Sequence, residues 1–243
     1  MKITEKLLTL DFNGLHEQGA INIVIFGDSV SHGCFGADEI DYDAAYWNHL
    51  RKMINNVRNY VPINVINSAI GGTTAKHSIG RMQAQVFDHH PDLLIVCFGL
   101  NDVNGSLDDY LNSLKTIFKK SISEKVDTIF MTPNMLNTYV ADDTEQKYFE
   151  YAHKTADMQN SGRMDTYMKC AKELAESMGV TVCDCYGKWK EIAKTTDTTK
   201  LLANRINHPT REMHLLFARS LFDIIFKDYP QAIQNNDSTV WSE

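Results

Sequence analysis

Five short runs of apolar, largely β-branched residues recur along this chain, and longer stretches with apolar residues at helical spacing separate them. The runs are Ile21–Phe26 (INIVIF), Ile63–Asn67 (INVIN), Asp92–Phe98 (DLLIVCF), Asp127–Thr132 (DTIFMT) and Val180–Asp184 (VTVCD). They are apolar through their length rather than alternating, which is the pattern of a strand covered on both faces. Helical spacing marks Tyr42–Tyr60, Leu107–Ser121, Met164–Met178 and Met213–Phe226, and Gly179 supplies a stop after the third. Strands alternating with helices predict an α/β chain with a parallel sheet, helices on both faces and right-handed crossovers. A chain of 243 residues suits one large domain better than two. We therefore read residues 1–243 as a single domain.

One interval is too long for a simple connection. Residues 133–163 separate the fourth strand from the next helix and carry Tyr139, Tyr148, Phe149, Tyr151 and His153. Two readings stand: a surface helical insertion, or a lid or wall for a site, since long insertions in compact domains often serve one. The polar tail from Gln231 to Glu243 is expected to fray.

Composition narrows the function classes. The chain has 24 Lys plus Arg against 31 Asp plus Glu, a formal net charge of −7, and no basic run. That balance argues against nucleic acid or an anionic membrane as partner. No run of ~18 apolar residues predicts a membrane helix, and the start, MKITEKLLTLDFNG, does not read as a secretory leader. The expected compartment is the cytoplasm. The five cysteines, Cys34, Cys97, Cys170, Cys183 and Cys185, are odd in number and form no CxxC; they read as reduced, buried small hydrophobes.

In open parallel sheets, ligands bind beyond the carboxyl ends of the strands. The first strand is followed by Gly27-Asp28-Ser29, the second by Ser68-Ala69-Ile70-Gly71-Gly72-Thr73, and the third by Gly99-Leu100-Asn101-Asp102. Asn204-Arg205-Ile206-Asn207-His208-Pro209 precedes the last helix. A serine, a glycine pair, an asparagine and a histidine thus converge on one edge. These parts suit acyl transfer. A serine hydroxyl needs a base to take its proton, and His208 is a neutral-pH candidate. The negative oxygen of the transition state needs preorganised donors. The amides of Ser29 and Gly72 and the side chain of Asn101 are three candidates, with glycine at 72 expected to allow close backbone approach. Each residue also has a plain structural alternative: Ser29 as a helix cap, Gly71-Gly72 as a turn, Asn101-Asp102 as a helix start, His208 as a loop histidine. Asp28 and His32, with His77, are candidate pocket residues. His214 reads as a pairing or packing residue rather than a metal ligand.

The four blocks together resemble the SGNH hydrolases, also called GDSL esterases or lipases. The resemblance rests on Gly27-Asp28-Ser29-Val30, on Asn67 through Gly72-Thr73, on an intact Gly99-Leu100-Asn101-Asp102 and on His208-Pro209, over residues 21–227. It implies a three-layer flavodoxin-like fold with strand order 2-1-3-4-5. It also implies Ser29 as nucleophile, His208 as base, an oxyanion hole of Ser29, Gly72 and Asn101, and no metal or organic cofactor. One position departs from the family pattern. Where members usually carry Asp three residues before the histidine, this chain has Arg205, which cannot accept a bond from a ring N–H. Three explanations are open: a backbone carbonyl or Asn204 orients His208; a remote carboxylate, Asp184 or Asp197, serves; or the chain is a weak or inactive relative.

The leading expectation is a serine esterase acting on a small or carbohydrate-linked acyl ester, such as an acetylated sugar. The substrate is thus a small molecule, and the oligomeric state is not readable. A lysophospholipase or thioesterase of the same chemistry is the alternative, and a catalytically impaired carbohydrate-binding relative is a second. A nucleotide-binding flavodoxin-like protein is disfavoured, because neither GxGxxG nor GxxxxGK[ST] follows a strand.

Overall fold

In chain order the elements of the computed structural model are α1 (Lys2–Thr9), α2 (Phe12–Gln18), β1 (Ile21–Gly27), α3 (Ser29–His32), α4 (Tyr46–Val57), β2 (Ile63–Asn67), α5 (Ala75–Ser78), α6 (Met82–Gln85), β3 (Leu93–Cys97), α7 (Leu107–Ser123), β4 (Asp127–Met131), α8 (Phe149–Asn160), α9 (Arg163–Ser177), β5 (Thr181–Cys183), α10 (Cys185–Ile192) and α11 (Arg211–Ile225). The structure describes residues 1–36 and 38–231. The expectation for the tail beyond Gln231 lies outside them.

All five apolar runs become strands of one parallel sheet, in the order β2-β1-β3-β4-β5. The class is α/β, a three-layer flavodoxin-like arrangement with helices around the sheet. Every residue of β3 is buried, so helices cover both of its faces, and burying each such Leu, Ile or Val is worth about 1.5–3 kcal/mol. The edge strands depart from the expectation of double coverage. Most of β2 is only partly buried, and β5 is three residues long and half-buried over two of them. A strand at the rim has neighbours on one side only, and apolar composition alone does not reveal that position.

Helix starts follow local chemistry. Ser106 caps α7 by accepting from the Asp109 amide, with Asp108 and Asp109 in the first turn. The buried stripe of α7 is Tyr110, Leu114, Ile117 and Phe118, the one-face spacing of an amphipathic helix. Helix α7 packs on α9, and α4 packs on α11. Helix α1 was not anticipated by the sequence reading. Its Ile3 and Leu7, with Leu10 just beyond, are buried. Its start is tied to the sheet by the Ile3 amide donating to Asp127 (2.9 Å) and by Thr4 Oγ1 donating to the Ile225 carbonyl (2.6 Å).

Register decides where the site can form. Gly27 pairs level with Cys97, and Ile25 with Asn67. The Ser68 amide donates to the Ile25 carbonyl and the Ile70 amide to the Gly27 carbonyl. The residues following β1, β2 and β3 therefore meet at one edge. Among the described residues, no helix is long and apolar enough to cross a membrane.

Candidate active site

Strand β1 ends in a glycine for a packing reason. A Cβ at Gly27 would stand 2.6 Å from the Cys97 carbonyl oxygen and 2.6 Å from Ser31 Oγ. Asp28 then caps α3, its Oδ1 accepting from the Val30 amide at 3.2 Å. Asp28 is wholly buried, and burial pushes its carboxyl pKa up to about 8. This corrects its expected place: it lies beneath the serine and does not line the cleft. Ser29 is the first residue of α3, so its amide belongs to the group that finds no partner inside a helix.

His208 comes from the far end of the chain. Helix α11 packs on α4, and the Tyr46 amide donates to Nδ1 of a wholly buried His214 at 3.1 Å. The His214 ring also packs on Phe35, centroids 4.8 Å apart. His214 is thus a pairing and packing residue. That seam carries the preceding loop to the end of β1. There His208 Nε2 stands 2.9 Å from Ser29 Oγ.

The other ring nitrogen, Nδ1, faces the Phe35 carbonyl oxygen at 3.3 Å. A carbonyl only accepts, so Nδ1 carries the hydrogen and Nε2 presents a lone pair to the serine. Burial pushes the His208 pKa down to about 4, which keeps the ring neutral at ordinary pH. Asn204 does not touch the ring. Its Oδ1 accepts from the amides of Ile206, Asn207 and His208 at 3.0, 3.0 and 2.9 Å, so it shapes the turn that carries the imidazole. The carbonyl of Phe35 faces the nitrogen for which Asn204 was a candidate partner. A backbone group has no sequence signal, and this one is 173 residues away.

Arg205 points elsewhere. Its backbone takes a left-handed φ of 59°, and its guanidinium grips both oxygens of Asp143 and the carbonyls of Lys200 and Leu202. The two remote carboxylates are engaged away from the histidine. Asp184 caps α10 and pairs with Lys172, while Asp197 accepts from Tyr139 Oη at 2.6 Å and from the Thr199 amide.

The other two blocks close the site. Gly72 has φ 76°, and a Cβ there would meet nothing within 4 Å. Glycine is favoured at 72 by its backbone conformation, not by the crowding expected from sequence. Asn101 Nδ2 donates to the Thr73 carbonyl at 3.0 Å, which fixes the amide plane with one of its two hydrogens. The Ala75 amide donates to Asp102 Oδ1 at 2.9 Å, locking the second block to the third. His32 Nδ1 accepts from the Gly71 amide at 3.2 Å, supporting the glycine turn from behind. His77 is exposed and lies outside the cleft lining.

Ser29, Gly71, Gly72, Asn101 and His208 share one cleft of about 480 Å³. The 133–163 segment contributes Asp143, Glu145, Tyr148 and Tyr151 to its lining, which the sequence left open between insertion and wall.

A hydroxyl bonded to a neutral imidazole, at the carboxyl edge of a 2-1-3-4-5 parallel sheet, is the arrangement of a serine hydrolase on a flavodoxin-like fold. Comparison with known proteins narrows it. The model of the GDSL-like lipase/acylhydrolase family matches residues 25–216, and the chain belongs to that family, a serine carboxylic ester hydrolase. An acetylxylan esterase of Geobacillus stearothermophilus is 24% identical over 219 residues, covering 82% of this chain and 90% of the relative. The crystal structure of Axe2, an acetylxylan esterase from Geobacillus stearothermophilus, superposes with a TM-score of 0.67 at 22% identity, over 84% of this chain and 94% of that one. LAE5, an α/β hydrolase enzyme from the metagenome of Lake Arreo, Spain, gives 0.66 at 21%, over 85% and 96%.

Proposed function

We propose that the protein removes acetyl groups from carbohydrate-linked esters through an acyl-enzyme intermediate on Ser29. The observation that carries this reading is the 2.9 Å contact between Ser29 Oγ and the unprotonated Nε2 of His208. His208 Nε2 takes the Oγ proton as Oγ bonds to the ester carbonyl carbon. The resulting oxyanion faces the amides of Ser29 and Gly72 and the Nδ2 group of Asn101, donors of the kind whose single loss costs about 10²–10³ in rate. The imidazolium gives its proton to the departing sugar oxygen as the C–O bond breaks, leaving acetyl-Ser29. A water then loses a proton to Nε2, attacks the acyl carbon and releases acetate, and Oγ recovers its hydrogen.

The carboxylate that usually orients the histidine is absent from this arrangement. The Phe35 carbonyl sets the tautomer, which in the serine-protease template is worth about 10⁴-fold when lost. It contributes a dipole rather than a full charge to the imidazolium, so the working unit is a serine–histidine dyad. The 133–163 segment forms one wall of the cleft within a single domain. Acetyl sugar as substrate is supported by the acetylxylan esterase relative and by a cleft lining rich in hydroxyl and carboxylate oxygens.

The test is hydrolysis of p-nitrophenyl acetate and of an acetylated xylooligosaccharide by the protein and by Ser29→Ala. The reading requires turnover of both esters and its loss in the variant. Equal hydrolysis by both proteins contradicts it.

A further inference from the structure

Resting on that esterase reading, we propose that the cleft selects its alcohol by charge, accepting neutral, hydroxyl-rich alcohols and turning away anionic ones. Three carboxylates line it, Glu39, Asp143 and Glu145, together with the rings of Tyr148 and Tyr151, and no lysine or arginine of the described residues does. Each carboxylate is held by a cation outside the lining. Glu39 pairs with Arg211 at 2.7 Å, Asp143 with Arg205 at 2.9 Å and Glu145 with Lys147 at 2.9 Å. Arg211 is further engaged by Asp41 at 2.9 Å, and Arg205 by two carbonyls. Asp143 and Glu145 are thus paired one to one, whereas Glu39 and Asp41 share Arg211, which leaves one negative charge in excess at the rim.

Such a surface offers acceptors to sugar hydroxyls, and a bond with an ionised acceptor is the stronger kind. The Tyr151 ring offers an apolar face to the sugar's C–H side, while Lys147 stands over one face of Tyr148 at 4.8 Å. An alcohol carrying a carboxylate, a phosphodiester or a nucleotide meets like charge and, among the described residues, finds no guanidinium or ammonium in the lining. This disfavours lysophospholipids and coenzyme A thioesters. Four of the five residues, Asp143, Glu145, Tyr148 and Tyr151, come from the 133–163 segment, so this wall supplies most of the recognition surface. Its carboxylates are exposed, 63% for Asp143 and 61% for Glu145, so the discrimination is modest and screened by salt.

The experiment compares methyl O-acetylglucopyranoside with methyl O-acetylglucopyranosiduronate, the glycoside whose C6 carboxylate is free, acetylated at the same hydroxyl. At about 0.05 M salt the neutral ester should show a kcat/KM about tenfold above the anionic one, the effect of roughly one uncompensated charge at the rim. Raising salt to about 0.5 M should close most of the gap, and Glu145→Lys should narrow or reverse it. Equal kcat/KM at low salt, a gap indifferent to salt, or a ratio unmoved by Glu145→Lys overturns the proposal. Calorimetric titration with methyl glucopyranoside and methyl glucopyranosiduronate, its carboxylate free, reads the same preference without turnover. If neither ester is cleaved, the acetyl-carbohydrate reading fails, and the relative binding of the two glycosides still decides the charge selection.

Discussion

Replacing Asn204 tests whether the turn, rather than a carboxylate, keeps the imidazole in place. In Asn204→Ala, three amides lose one shared acceptor, those of Ile206, Asn207 and His208. Each neutral bond contributes about 1 kcal/mol net, and an amide left buried without a partner costs about 1–3 kcal/mol. Ile206 and Asn207 are buried, whereas Asn204 is half-exposed, so water replaces part of the loss. We expect about 2–3 kcal/mol of destabilisation in urea unfolding. The His208 amide is one of the three, so the ring also loses its fixed approach to Ser29. A misplacement of about 1 Å near a reacting centre costs on the order of 10²-fold, and kcat for p-nitrophenyl acetate should fall by about that factor, with KM changed far less. Asn204→Asp keeps the oxygen acceptor and should retain most stability and rate. Wild-type stability and kcat in Asn204→Ala, or an Asp variant as damaged as the Ala variant, would refute the reasoning.

Two further expectations concern protons. The base must be neutral, and burial holds the His208 pKa at about 4, so the acid limb of kcat/KM should fall near pH 4; a limb at an ordinary histidine value near 6.5 would contradict this. His214 is wholly buried with its pKa pushed down to about 3. Below about pH 6.5 the unfolded chain binds a proton that the folded chain refuses, so this contribution to stability is present above 6.5 and is lost as pH falls toward 3, with a limiting slope of about 1.4 kcal/mol per pH unit. Asp28 and Asp102, raised by burial to about 8 and 7, act in the opposite sense and lose stability as pH rises. The comparison of His214→Phe with the parent isolates the histidine: unfolding free energies across pH 7 to 3 should converge or cross, and parallel curves would refute it.

Much of this molecule was legible before any coordinates. The five strands were readable because apolar β-branched runs bounded by polar residues have few other uses in an α/β pattern. The strand-end rule then singled out Ser29, Gly72 and Asn101, and the last helix located His208. What escaped has physical causes. That a main-chain carbonyl faces His208 Nδ1 was among the expectations, but not that Phe35 supplies it, since every residue possesses such a group. Asp184, a candidate carboxylate whose place after the fifth strand equally suggests a structural role, takes the structural one and caps α10 with Gly187 three residues on. Helix α1 was passed over, although Ile3, Leu7 and Leu10 sit at helical spacing. The pairing of Arg205 with Asp143 spans 62 residues and is set by tertiary structure alone.

In the proposed mechanism a neutral histidine that no carboxylate supports makes Ser29 nucleophilic. Treatment with a fluorophosphonate, followed by peptide mass analysis, reads this activation at the residue itself. The expected outcome is a phosphonyl adduct on Ser29 that is lost in His208→Ala and kept in Asp184→Asn and Asp197→Asn. An adduct on another residue, or labelling of Ser29 that survives His208→Ala or vanishes with either aspartate, would contradict it.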